Sequence, residues 1–214
     1  MRTITLVTQK GGAGKTTIAA SLAVAAAQAG EKVIALDLDP QGSLAAWGDT
    51  RSVEEPAVDR IGPDNLANLS AILKALAAEG YTLAILDTAG IASTGGNLAM
   101  QAADLALIPA RPSRLDLQAT LPTIEALMRL EMRERFAFIL NQCPAGRSSR
   151  ATEAANGLGM FGVLAEPMLT QRADHQDALA AGQGVTEYAR DGKAADEIRA
   201  LWIWAARKMK GTKT

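Results

Sequence analysis

The sequence predicts an α/β fold, a mostly parallel sheet with helices on both faces, and three observations predict it. Short apolar runs alternate with longer Ala- and Leu-rich stretches along the 214 residues. The runs are continuously apolar rather than alternating, as strands buried on both faces are. A glycine-rich turn joins the first run to the first helical stretch. With 48% hydrophobic residues the chain can bury one substantial core, which reads as a single domain over residues 1–214.

The first run, Ile4 to Val7, leads into Gln9-Lys10-Gly11-Gly12-Ala13-Gly14-Lys15-Thr16-Thr17 and then an Ala-rich helix. Glycines let backbone N–H groups turn toward an anion, and the N-terminus of the following helix favours negative charge. Lys15 can reach the β- and γ-phosphates of a nucleoside triphosphate, and Thr16 offers a hydroxyl to Mg²⁺. The segment departs from the ordinary phosphate-loop pattern, since Gln9 stands where a glycine is wanted and a second lysine, Lys10, precedes the paired glycines.

Lys10 to Thr17 is similar to the K-G-G-x-G-K-[ST]-T motif of the ParA/MinD family of deviant P-loop ATPases. The chain most resembles the small ParA plasmid-partition proteins that lack an N-terminal helix-turn-helix. The resemblance implies a P-loop NTPase fold that binds ATP through Lys10, Gly11, Gly12, Ala13, Gly14, Lys15, Thr16 and Thr17. It further implies a sandwich homodimer, formed with ATP, in which Lys10 reaches the phosphates held by the other subunit.

The second run, Lys32 to Leu36, ends in Asp37-Leu38-Asp39-Pro40-Gln41-Gly42, which matches the family's D-x-D-P-Q. By resemblance Asp39 positions the attacking water, Asp37 supports the phosphate-loop region, and Pro40 and Gly42 shape a switch. Leu83 to Leu86 ends in Asp87, the form of a strand whose acid holds Mg²⁺, so Thr16, Asp39 and Asp87 are the candidate metal residues. Gly90, Gly95 and Gly96 read as a flexible loop able to sense the γ-phosphate. Leu105 to Pro109 is another strand, followed by Pro112-Ser113-Arg114-Leu115-Asp116, which resembles the I-P-x-x-P-S-x-L-D segment of small ParA proteins. Phe136 to Leu140 is a further strand, whose terminal Asn141 is read both as an adenine contact and as a plain turn residue. Val163 to Glu166 is a short last strand, with Arg172 opening a helix.

A formal net charge of −1 gives no global sign of a nucleic-acid partner. The resemblance nevertheless places nonspecific DNA binding on basic positions late in the chain, namely Arg147, Arg150, Arg172, Arg190 and Lys193. The single cysteine, Cys143, excludes a disulfide framework or a cysteine cluster within one chain. His175, in a polar helical run, reads as a surface or interface histidine. The run Leu201 to Lys210 invites comparison with the membrane-binding tail of MinD proteins. Its apolar residues are consecutive, however, which favours packing on the sheet, with a frayed basic tail after Ala206. The expectation is a cytoplasmic, nucleoid-associated ATPase for plasmid, chromosome or cargo positioning, stimulated by a ParB-like or cargo-adaptor protein. A membrane-associated MinD-like regulator and a metabolic P-loop synthetase are the alternatives, and Lys10 argues against the second.

Overall fold

The structure is a computed structural model that describes residues 1–90 and 92–211. Among the described residues seven strands form one parallel sheet: β1 (Arg2–Leu6), β2 (Val33–Asp37), β3 (Ala57–Arg60), β4 (Leu83–Asp87), β5 (Leu105–Ala110), β6 (Phe136–Leu140) and β7 (Val163–Leu164). Their order across the sheet is β3-β2-β4-β1-β5-β6-β7. The register pairs Leu6 with Asp87 and Asp37 with Asp87. The carboxyl ends of β1, β2 and β4 therefore lie side by side, at the edge where open α/β sheets bind ligands.

Among the described residues ten α-helices surround the sheet: α1 (Lys15–Gln28), α2 (Ser43–Asp49), α3 (Leu69–Ala78), α4 (Thr94–Ala102), α5 (Arg114–Gln118), α6 (Leu121–Arg129), α7 (Ser149–Gly159), α8 (Asp174–Ala180), α9 (Val185–Tyr188) and α10 (Lys193–Gly211). Helix α1 is apolar almost all round, as a helix enclosed on every side should be. It is buried between the sheet and α10, in one core with Ile198, Leu201, Trp202 and Met209. The other face of the sheet carries two cores, one under α6 and α7 around Phe136 and Phe138, and one under α3 around Leu36, Leu69 and Leu86.

Several local expectations change. Residues 57–60 form an edge strand that the sequence does not announce, because Asp59 and Arg60 are exposed and only Ala57 and Val58 pack inward. Gly95 and Gly96 lie inside α4 rather than in a loop. Ser93 caps that helix by accepting the Gly96 N–H at 3.0 Å, and Gly95 is buried against Leu66. Arg172 does not open a helix, since α8 begins at Asp174. The C-terminal helix does not fray after Ala206, because Met209 is 2% exposed and anchors its last turn.

Candidate functional site

The phosphate loop leaves β1 at Val7 and enters α1 at Lys15. Gly14 caps that helix with φ 93°, a left-handed conformation that glycine adopts without strain. A side chain there would also collide with Asn141, whose Nδ2 lies 2.4 Å from the position a Cβ would take. Asn141 Nδ2 donates to the Ala13 carbonyl at 2.8 Å, and Gln142 Nε2 donates to the Gly12 carbonyl at 3.1 Å. The two residues that follow β6 thereby fix the loop through its carbonyls. Gly90 packs so closely that a Cβ would sit 3.1 Å from Gly11, so the segment after β4 rests directly on the phosphate loop.

Four side chains converge at the carboxyl ends of the three central strands. Thr16 Oγ1 donates to Asp87 Oδ2 at 2.6 Å, while Asp87 Oδ1 is buried without a partner among the described residues. Burial drives the Asp87 carboxyl up to about 7, and Asp37 and Asp39 push it the same way, against the Thr16 hydrogen bond and Lys15. Lys15 is buried, with Nζ 3.5 Å from the Lys10 carbonyl oxygen. Burial lowers its pKa, and the charges of Asp87 and Asp39 oppose that shift. A strained balance of this kind, with a buried ammonium and an orphaned carboxylate oxygen beside an N-terminal helix end, favours an anion with its cation.

Asp37 serves the neighbouring loop rather than the phosphate loop itself. Its oxygens accept the backbone N–H groups of Asp39 and Ala45, both at 2.9 Å, which shapes residues 38–45. Asp39 is half-buried and faces the site, with Oδ1 accepting the Gln41 N–H at 3.0 Å. Arg60, from the unforeseen edge strand, donates to the Pro40 carbonyl at 2.7 Å and braces the same loop.

Lys10, expected to act on another subunit, is paired within its own chain. Its Nζ lies 3.1 Å from Asp116 Oδ2, and Arg111 and Ser113 hold the same carboxylate. The signal for Asp116 was present as Ser113-x-x-Asp116, a helix-start pattern, and Ser113 does cap α5. Its ion pair with Lys10 was not visible from that pattern.

Behind Gly14 lies a cavity of about 100 Å³, lined by Thr17, Ile18, Asn141, Thr170, Arg172 and His175 among others. Asn141 thus both braces the loop and lines this cavity. Two assignments change here. His175, expected at the surface or an interface, is half-buried at this cavity, and its burial lowers its pKa against the pull of Glu197 and Asp174. Arg172 lies at the same cavity, paired with Glu197 at 2.8 Å, apart from the exposed Arg147, Arg150, Arg190 and Lys193. In α10, Trp202 is buried and Trp204 partly so, which makes the aromatic run part of the core. No described helix is long and apolar enough to cross a membrane.

Known proteins resemble this chain in sequence and in fold. The family described as the CobQ/CobB/MinD/ParA nucleotide binding domain matches residues 4–182. The maintenance of carboxysome distribution protein A of Halothiobacillus neapolitanus is 31% identical over 213 residues, covering 93% of this chain and 94% of that protein. Protein VirC1 of Rhizobium radiobacter is 31% identical over 154 residues, covering 69% and 67%. Among solved structures, the Aquifex aeolicus MinC:MinD complex superimposes with a TM-score of 0.79 at 18% identity, covering 99% of this chain and 96% of that one. An ATP complex of a Cyanothece McdA variant gives 0.75 at 19% identity, covering 100% and 98%.

Proposed function

From the premise that the chain belongs to the ParA/MinD family of partition and positioning ATPases, we propose that it is an ATP-driven switch acting through residues 1–214 as one unit. Mg²⁺–ATP joins two chains face to face, the dimer binds DNA without sequence preference, and a partner protein stimulates hydrolysis and release. The observation that carries this reading is the convergence of Lys15, Thr16, Asp39 and Asp87 at the ends of β1, β2 and β4, with one Asp87 oxygen left unsatisfied.

The donor set fits Mg²⁺, a hard cation that takes few protein ligands and completes its shell with phosphate and water. Thr16 Oγ1 and the orphaned Asp87 oxygen would hold it, directly or through water, with Asp39 nearby. Bound there, the ion would neutralise phosphate charge. Lys15 would bind the β- and γ-phosphates from within the loop. Lys10 of the opposite subunit would add a second cation as charge spreads over the transferring phosphoryl group. Asp39, held by its own turn at Gln41, would orient the attacking water. The exposed Arg147, Arg150, Arg190 and Lys193 would supply phosphate contacts to DNA, doubled in a dimer. The cargo could be a plasmid, a chromosome or a protein assembly, and the site of action is the cytoplasm over the nucleoid.

The decisive test is ATP binding by Lys15→Ala. The proposal expects loss of most affinity, because Lys15 is the cation buried in the loop. Unchanged affinity would reject the site.

A further inference from the structure

Glu197 lies on α10, more than 180 residues after the phosphate loop, yet it organises one wall of the cavity behind that loop. Its Oε2 accepts the Thr170 backbone N–H at 2.9 Å. Its Oε1 accepts the Thr170 hydroxyl at 2.9 Å and Arg172 Nη2 at 2.8 Å. The backbone of this segment is tied to the end of β6, with Cys143 N–H donating to Leu169 at 2.9 Å and Gln171 N–H donating to Cys143 at 2.8 Å. The Glu197 carboxylate then fixes the side chains of Thr170 and Arg172, both of which line the cavity. Charge-assisted bonds of this kind are stronger than neutral ones, and three on one carboxylate pin a loop that has little regular structure.

The wall it holds is chemically unfinished. Arg172 Nε and His175 Nε2 are both buried with no hydrogen-bond partner among the described residues, a costly state in a folded protein. They stand beside a cavity that opens next to Gly14 and Thr17, at the start of the phosphate-loop helix. A ribose and base carry both donors and acceptors, and they would leave the phosphates in this direction.

We infer that Glu197 is a positioning residue for nucleoside recognition: it holds Thr170 and Arg172 in place, beside His175 and next to the phosphate-loop helix, so that the cavity grips the ribose and base of a bound nucleotide. The inference rests on the ATP reading above and adds a separate consequence. Glu197 touches none of the groups that cradle phosphate. Its loss should therefore remove the contribution of the nucleoside and spare that of the triphosphate.

The experiment compares wild type, Glu197→Gln and Glu197→Ala as full-length chains. Binding of Mg²⁺–ATP, Mg²⁺–GTP and Mg²⁺–tripolyphosphate is measured by competition against a fluorescent ATP analogue, with thermal unfolding as the check on folding. Glu197→Ala is expected to weaken ATP about tenfold, as befits losing a charged acceptor shared by three donors, to narrow the gap between ATP and GTP, and to leave tripolyphosphate unchanged. Glu197→Gln should recover part of the ATP affinity, since an amide oxygen can still accept the Thr170 N–H. Should Glu197→Ala fail to fold, Thr170→Val carries the same test, with a smaller loss for ATP and none for tripolyphosphate. Equal weakening of ATP and tripolyphosphate, or unchanged ATP affinity, overturns the inference. A wild-type chain that binds tripolyphosphate but draws nothing from the nucleoside overturns it too, while one that binds neither overturns the ATP reading itself.

Discussion

Lys10 and Asp116 form an ion pair within one chain, Nζ to Oδ2 at 3.1 Å, on a carboxylate that is 5% exposed. Burial pushes the Asp116 carboxyl upward, but hydrogen bonds from Ser113, Arg111 and Lys10 outweigh it and hold the group below the usual aspartate range. The lysine that family resemblance sends across a dimer interface is thus held at home until something displaces it. On the proposal that Lys10 acts across a dimer interface, dimerisation would have to break this pair, and the pair would then set part of the threshold for switching.

Asp116→Ala should therefore dimerise at lower ATP. Lys10 is partly exposed, so the pair is worth about 1 kcal/mol, or about a fivefold shift in the half-maximal nucleotide concentration. Analytical ultracentrifugation across an ATP titration reads this directly. An unchanged midpoint would show that the pair imposes no threshold.

Lys10→Ala should bind ATP as a monomer and fail to dimerise or hydrolyse. Lys15, Thr16 and the loop backbone remain in place for the chain's own nucleotide. A normal ATP-dependent dimer on size-exclusion chromatography would rule out the role in trans.

Asp87 links stability to pH. Its folded pKa of about 7 lies above its ordinary value of 3.8, so between those values the folded protein keeps a proton that the unfolded chain has released. Stability falls as pH rises through that window. Asp87→Asn removes the buried charge and keeps the shape, so without nucleotide the variant should be more stable than wild type at pH 8, by about 1–3 kcal/mol. The advantage should shrink toward pH 5, and the variant should lose Mg²⁺-dependent ATP binding. Urea denaturation at both pH values checks it, and a less stable variant at pH 8 contradicts the account.

Replacing Arg147 and Arg190 with Glu should abolish binding of the ATP-loaded dimer to arbitrary duplex DNA and leave dimerisation intact. Both side chains are exposed. Wild-type affinity should fall steeply with salt, because each neutralised phosphate releases counterions. Wild-type binding by the double variant in a mobility-shift titration would place the DNA surface elsewhere.

The legible parts of the fold were those with strong local signals. Leu83–Asp87 and Phe136–Leu140 are buried along their whole length, and such runs read as parallel strands in any context. Ala57–Arg60 escaped because an edge strand needs no outward apolar face. Gly95 and Gly96 misled because glycine argues for a loop locally, whereas the Ser93 cap and the contact with Leu66 decide for a helix. The phosphate loop was readable from its spacing. Glu197 and Asp116 were not, since each acts through a partner brought near only by the tertiary fold: Arg172, 25 residues from Glu197, and Lys10 for Asp116. The polar neighbours of His175 in sequence suggest a surface or interface position, while the cavity beside it is completed by residues distant in sequence, Asn141 after β6 and Thr17 and Ile18 of α1.

The most direct test of the switch is the fate of Asp39→Ala with Mg²⁺–ATP, followed by light scattering coupled to size-exclusion chromatography and by phosphate release. Asp39 is assigned to the attacking water and not to nucleotide binding, so the variant should form a dimer with ATP and persist in it, releasing almost no phosphate even with the stimulating partner. The wild type should return to monomer as ATP is consumed. An Asp39→Ala chain that hydrolyses at the wild-type rate, or that stays monomeric with ATP bound, would contradict the account.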